Sequence, residues 1–201
     1  QFASSAASDV YKRQVLDGTD NFQTRYLIND VCVKLGKPWV YTGVVATYGM
    51  TTTMIPDGAV DSLPSTEGGE TRGATGCLRC LIGEMPPPGS GATCDTVGVL
   101  GPAVALITAI SAGEAMKLIT GKGQLNKGIM HIDVWTHEYE LLAAMPRNPQ
   151  CVACGQHQYD FLNARQSTTS SVLCGRNAVQ VSVSNGLSLD LAAIEKQLAS
   201  V

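Results

Sequence analysis

Two cysteine pairs, Cys77-Leu78-Arg79-Cys80 and Cys151-Val152-Ala153-Cys154, constrain this chain more than any other feature. Thiols three positions apart can grip one metal ion from a single turn, and two such turns complete a tetrahedral zinc site. The pairs lie far apart, so the ion closes a long loop and ties two distant parts of one domain together. Four thiolates leave no open coordination position, which makes the expected zinc structural and puts the chemistry elsewhere. The same residues could act as redox dithiols. Neither pair opens a helix after a strand, as a thioredoxin-like motif does, and two pairs in one chain favour metal.

At 201 residues and 44% hydrophobic, the chain can bury the core of a single domain with a small appendage. Its seven cysteines, an odd number, suit a reducing compartment with metal better than a secreted disulfide framework, so a cytoplasmic location is expected. A formal net charge of -3 argues against nucleic acid as a partner, because such binders cluster Lys and Arg. The stretch from Gln1 to Ser8 lacks the basic and apolar regions of a secretory signal. The longest apolar run, Val97 to Ile119, contains Pro102, Glu114 and Lys117 and reads as a buried core helix rather than a membrane span.

Along the chain, Gln1 to Gln14 reads as a junction segment, foreign to the residues from Val15 onward. Val15-Leu16 ends a buried strand, and Asp17-Gly18-Thr19-Asp20-Asn21 turns into a helix. Asp20 with Gln23 fits a capping box, and Leu27, Ile28, Val31, Cys32 and Leu35 form an apolar face before Gly36 and Pro38. Trp39 to Ala46, apolar on both faces, reads as a central parallel strand, and another strand runs from Tyr48 to Ile55. Pro56 to Gly76 reads as a mobile surface loop, and Pro86 to Gly91 as a flexible one that delivers Cys94. A helix over Pro102 to Thr120 precedes two strands, Ile129 to Trp135 and Glu138 to Met145. After a polar linker over Ala164 to Ser171, Val172 to Val183 is strand-like and Ser188 to Ser200 forms a short amphipathic helix.

In order, the turn from Asp17 to Asn21, the two cysteine pairs, Thr93-Cys94-Asp95 with Val99-Leu100-Gly101-Pro102, and Arg147-Asn148-Pro149-Gln150 ahead of Cys151 resemble the ThiF/MoeB/HesA family, bacterial relatives of ubiquitin-activating enzymes. The likeness covers Val15 to Gly155. It implies an α/β fold, the C-terminal part of an open doubly wound, Rossmann-like sheet with a four-cysteine zinc site and a small α/β tail. It also implies an ATP- and Mg2+-dependent adenylyltransferase that activates the C-terminal glycine of a ubiquitin-like sulfur carrier protein of the ThiS or MoaD type. Homodimers are usual in such a family. Asp20 and Asn21 match its nucleotide-contacting pair, with Asp20 on magnesium or its water.

The chain departs from the family pattern ahead of Asp17, where the Gly-rich phosphate loop, the ribose-binding acid and the triphosphate-gripping Arg and Lys are expected. The expected organisation is therefore a junction over residues 1–14, an adenylation-domain fragment over 15–158 and an incomplete extension over 159–201. The alternative is a non-catalytic, zinc-containing, carrier-binding scaffold. Asp20 can also be read as a helix N-cap alone, and Cys94 either as a nucleophile receiving the activated carrier or as an ordinary loop residue. Asp17 reads as a turn former, Arg25 as a solvated helix arginine, and Cys32 and Cys174 as core residues.

Overall fold

The computed structural model describes residues 13–63, 73–87, 90–163, 170–173 and 178–181. Its main sheet has five strands in the order β1 (Val15–Leu16), β2 (Trp39–Val45), β3 (Tyr48–Met54), β4 (Ile129–Asp133) and β5 (Glu138–Leu142). Only β1 and β2 run parallel, with Val15 opposite Trp39, and every later pair is antiparallel. The α/β class expected from the sequence stands. Among the strands of this sheet the parallel pairing is that of β1 with β2, because β2 turns straight back into β3 through Ala46 and Thr47 without a crossover helix; Ala46 also forms an isolated parallel bridge with Val99.

Helix α1 (Phe22–Leu35) joins the two parallel strands. Its N-cap is Asn21 rather than Asp20: the Asn21 side chain accepts from Thr24 N at 2.8 Å, so the expected capping box with Gln23 is not the one formed. It ends at Gly36, with φ 58°, where a Cβ would also sit 2.8 Å from the backbone of Gly58. Glycine is required there twice over, for the left-handed cap and for the close chain approach. The buried face is Tyr26, Asn29, Asp30 and Cys32; of the expected apolar face, Cys32 is in the core with Ile28 packed against it, whereas Leu27 and Leu35 are exposed.

Side chains alternate along β2. Trp39 and Tyr41 pack with Tyr26, Cys32, Met54, Leu78 and Phe161, whereas Val40 packs with Ile55, Ala59, Leu118 and Leu125. The first cluster carries the cysteine module and the second carries α4 (Gly101–Thr120). The long helix is buried along one stripe only, through Ala103, Ile107, Ser111, Glu114, Ala115 and Leu118. The helix expected over Pro102 to Thr120 is thus packed against the sheet along that stripe, while Val104, Leu106, Met116 and Ile119 are exposed.

By length and composition alone α4 could cross a membrane. It instead lies on β2 and β3, holding polar partners along its buried stripe. Ser111 Oγ is 2.9 Å from Thr42 Oγ1, and Thr53 Oγ1 donates to Glu114 Oε2 at 2.9 Å. Glu114 also accepts from Asn126 N and from Lys117 Nζ. These contacts satisfy polar groups that the packed interface would otherwise strand.

Two short helices, α2 (Leu78–Leu81) and α3 (Cys94–Val97), complete the main body. The start of the segment read as a mobile loop is a 3-10 turn over Asp57–Ser62, with Ala59 fully buried. Strands β6 (Ser170–Leu173) and β7 (Ala178–Val181) pair antiparallel as a separate two-stranded sheet, which breaks up the continuous strand expected over Val172 to Val183. Cys174, the helix over Ser188 to Ser200 and the segment before Arg13 lie outside the described residues.

Candidate functional site

Two constellations flank α1, one at each end. At its start, the turn after β1 is shaped by Asp17, whose Oδ1 accepts from Thr19 N at 2.8 Å and Thr19 Oγ1 at 2.7 Å. Asp17 is a turn former, as its sequence position implies, and it is also buried. Its other oxygen lies 3.5 Å from Arg25 Nε.

Arg25 is not the solvated arginine expected from its place on a helix. Its side chain is 12% exposed, and it donates to Thr19 O at 2.6 Å and Thr42 O at 3.2 Å. The guanidinium also stands over the Tyr41 ring, 5.3 Å from its centroid. One cation thus binds the turn after β1 to the middle of β2. Asp20 and Asn21 ride on that turn, with Asp20 exposed and accepting from Asn21 Nδ2 at 3.1 Å. The arrangement presents a free carboxylate at the carboxyl end of a parallel strand pair, where open α/β sheets bind ligands.

Cys94 belongs to the neighbouring strand end. It opens α3, whose Thr93 and Thr96 form a capping box, so the local chain is ordered by its own hydrogen bonds rather than by a flexible loop. The half-buried thiol points to Val44 O, 3.8 Å away, and the segment after it is pinned to Ala46 through Gly98 and Leu100.

At the other flank of α1 the four paired cysteines converge. All their Sγ atoms lie within 4.8 Å of one another, with Cys77 to Cys151 at 3.6 Å and Cys80 to Cys154 at 3.4 Å. These separations far exceed a disulfide bond, and they match the edge of a tetrahedron with metal–sulfur bonds of about 2.3 Å. Hydrogen bonding with Cys154 and Cys80, together with burial, pushes the Cys77 thiol far above the ordinary thiol range, while the thiols of Cys154 and Cys77 donate to Cys80 and hold it low. Four such sulfurs cannot all ionise beside one another without a cation. The donor set fits zinc.

Apart from Arg147, which belongs to the motif ahead of Cys151, the cysteine module is held by residues to which the sequence pattern gave no such part. Asn29 Oδ1 accepts from Leu78 N at 2.8 Å, inside the first pair, and Asp30 Oδ2 accepts from Phe161 N at 2.9 Å, beyond the second. Arg79, with 3% of its side chain exposed, pairs with Asp160 at 3.2 Å and Glu84 at 3.0 Å. Arg147 donates to Cys154 O and pairs with Asp57. A usable signal existed in the spacing Tyr26, Asn29, Asp30, Val33: polar residues on the positions of an inward helical stripe mark buried anchors.

The ThiF family model matches residues 9–153, spanning the turn, Cys94 and most of the cysteine module. The chain belongs to the ThiF family. Its relatives include the sulfur carrier protein ThiS adenylyltransferase of Bacillus subtilis, 36% identical over 185 residues, covering 92% of this chain and 49% of that protein. The sulfur carrier protein adenylyltransferase of Thermus thermophilus is 34% identical over 162 residues, covering 80% and 54%. This ThiF-family chain therefore spans about half the length of the curated relatives it matches. Among solved structures, E. coli MccB with ATP shares the fold at a TM-score of 0.52 and 18% identity, over 74% of this chain and 42% of that one.

Proposed function

We propose that this chain is part of an ATP-dependent adenylyltransferase that activates the C-terminal glycine of a ubiquitin-like sulfur carrier, of ThiS or MoaD type, as an acyl-adenylate for thiamine or molybdopterin synthesis. The observation that carries this reading is the 36% identity with a ThiS adenylyltransferase across 92% of the chain, which includes an exposed Asp20 on a turn locked by Arg25.

In this reading Asp20 holds Mg2+ or its water beside the triphosphate, and Asn21 combines capping of α1 with contact to the nucleotide. Mg2+, when bound, neutralises the charge that develops as pyrophosphate leaves. The protein's part is positional. Arg25 fixes the turn to β2, so that Asp20 is presented without a reorganisation cost at the moment of reaction. The carrier's extended tail would approach under the Pro56 to Gly76 segment, part of which lies outside the described residues. Cys94, on the next strand end, acts in this reading as the thiol that receives the activated carrier. Zinc held by Cys77, Cys80, Cys151 and Cys154 acts structurally, and the protein works in the cytoplasm.

The exposed apolar residues Val104, Leu106, Met116 and Ile119 of α4 support a homodimer, as a face of that kind is normally covered in an assembly. The deciding assay is carrier-dependent exchange of pyrophosphate into ATP, on this chain and on one extended to the length of its relatives. Exchange that requires the carrier supports the enzyme. Carrier binding with no exchange in either form supports the scaffold reading instead.

A further inference from the structure

A cavity of about 50 Å³ lies between the cysteine module and the start of β2, with Arg147 and Asp57 at its border. Among its lining residues are Asn29, Trp39, Cys77 and Cys154. Trp39 is 1% exposed and Asn29 1%, yet Trp39 Nε1 and Asn29 Nδ2 have no hydrogen-bond partner. The Asn29 amide cannot be turned round to remove the problem, since its Oδ1 already accepts from Leu78 N at 2.8 Å.

Buried indole and amide N–H groups rarely go unpaired, because each would forfeit its hydration without return. Both residues that carry the orphaned donors line the same space, and that space is large enough for one or more water molecules. An anion is disfavoured beside four sulfurs whose zinc complex carries net negative charge. A neutral molecule that both accepts and donates is what the site fits, and the sulfurs of Cys77 and Cys154 supply the acceptors.

We propose that this cavity is a hydration site, in which ordered water accepts from Trp39 Nε1–H and Asn29 Nδ2–H and donates to the sulfur of Cys77 or Cys154. The water thereby becomes part of the metal's surroundings and couples β2 to the zinc site. Partners of this outer kind steady the ligands of a metal and slow its loss. The coupling to metal rests on the proposed zinc site; the hydration itself does not.

The test uses the whole chain, with zinc content measured first. Nuclear Overhauser transfer from long-lived water to the Trp39 indole N–H is then recorded; Trp135, 72% exposed, provides an exchange-dominated comparison. Chelator-driven zinc release is compared for the unaltered chain, Trp39→Phe and Tyr41→Phe, the last controlling for loosening of the shared core cluster. Water transfer to Trp39, with zinc released on the order of tenfold faster from Trp39→Phe than from the control, is expected. Absence of water transfer in the unaltered chain overturns the hydration site, whether or not any variant folds. Equal release from Trp39→Phe and Tyr41→Phe overturns its coupling to the metal. A chain that carries no zinc overturns the metal reading, and the water transfer then still decides hydration on its own.

Discussion

Asp30 Oδ2 accepts the backbone N–H of Phe161 at 2.9 Å, joining the middle of the first long helix to a residue 131 positions later. The same oxygen takes a longer bond from Leu162 N, while Oδ1 has no partner. Burial raises this carboxyl above its ordinary range, against the opposing pull of those two backbone donors. With a raised folded value, the native chain binds more protons than the unfolded one above the ordinary carboxyl pKa. Stability should therefore be greatest below that value and fall as pH rises through the folded value. Asp30→Asn keeps an acceptor for Phe161 and should remove this fall, which urea midpoints across the acidic range will show. Asp30→Ala should lose about 1–3 kcal/mol by leaving two buried N–H groups unpaired.

Removal of zinc should release the module that Asn29 and Asp30 hold. Cys151→Ser should abolish stoichiometric zinc, measured by elemental analysis. Chelation should lower the melting temperature by about 10 °C or more, given several kcal/mol of lost binding at roughly 2–4 °C for each in a chain of this size.

Arg25 and Asp17 form a buried pair, with side-chain exposures of 12% and 0%. Arg25→Met should destabilise the chain by about 3–5 kcal/mol, because Asp17 is left charged and buried without its partner. Adding Asp17→Asn should recover much of the loss. A double-mutant cycle by urea denaturation measures the coupling, and additive effects would show that the two do not act as a pair.

Asp20 is exposed and accepts only from its neighbour Asn21 among the described residues, so Asp20→Asn should change stability by less than about 0.5 kcal/mol. On the proposed reaction it should nevertheless lower carrier-dependent pyrophosphate exchange by at least about 100-fold. Cys94→Ser should leave exchange intact and abolish any thioester to the carrier, which a reductant-sensitive gel shift reports.

Gly36 is held at φ 58° against the backbone of Gly58. Gly36→Ala should cost more than about 1–2 kcal/mol, the strain of the left-handed conformation plus the displaced chain. Gly18, with open space around its Cβ position and no positive φ, should accept alanine at little cost in the same thermal melts.

The local signals in the sequence were sufficient for much of what depends on a few neighbouring residues, although the cap of the first helix fell on Asn21 rather than Asp20. Cysteine spacing named the four sulfurs that converge, the turn from Asp17 to Asn21 was placed between a strand and a helix, Gly36 marked the end of the first helix, and the long helix ends at Thr120 as expected. Direction of strand pairing, by contrast, depends on how far the chain travels before it returns, and β2 returns at once as an antiparallel hairpin. The fate of polar residues on helix faces was hidden for the same reason. Asn29 and Asp30 are buried and Arg25 largely so because Leu78, Phe161 and Asp17 come to meet them, and α4 leaves Val104, Leu106, Met116 and Ile119 outside because the sheet covers only one stripe. Residue chemistry determined which groups could ligate, cap or turn; only the tertiary structure decided which polar groups found partners distant enough in the chain to make their burial favourable.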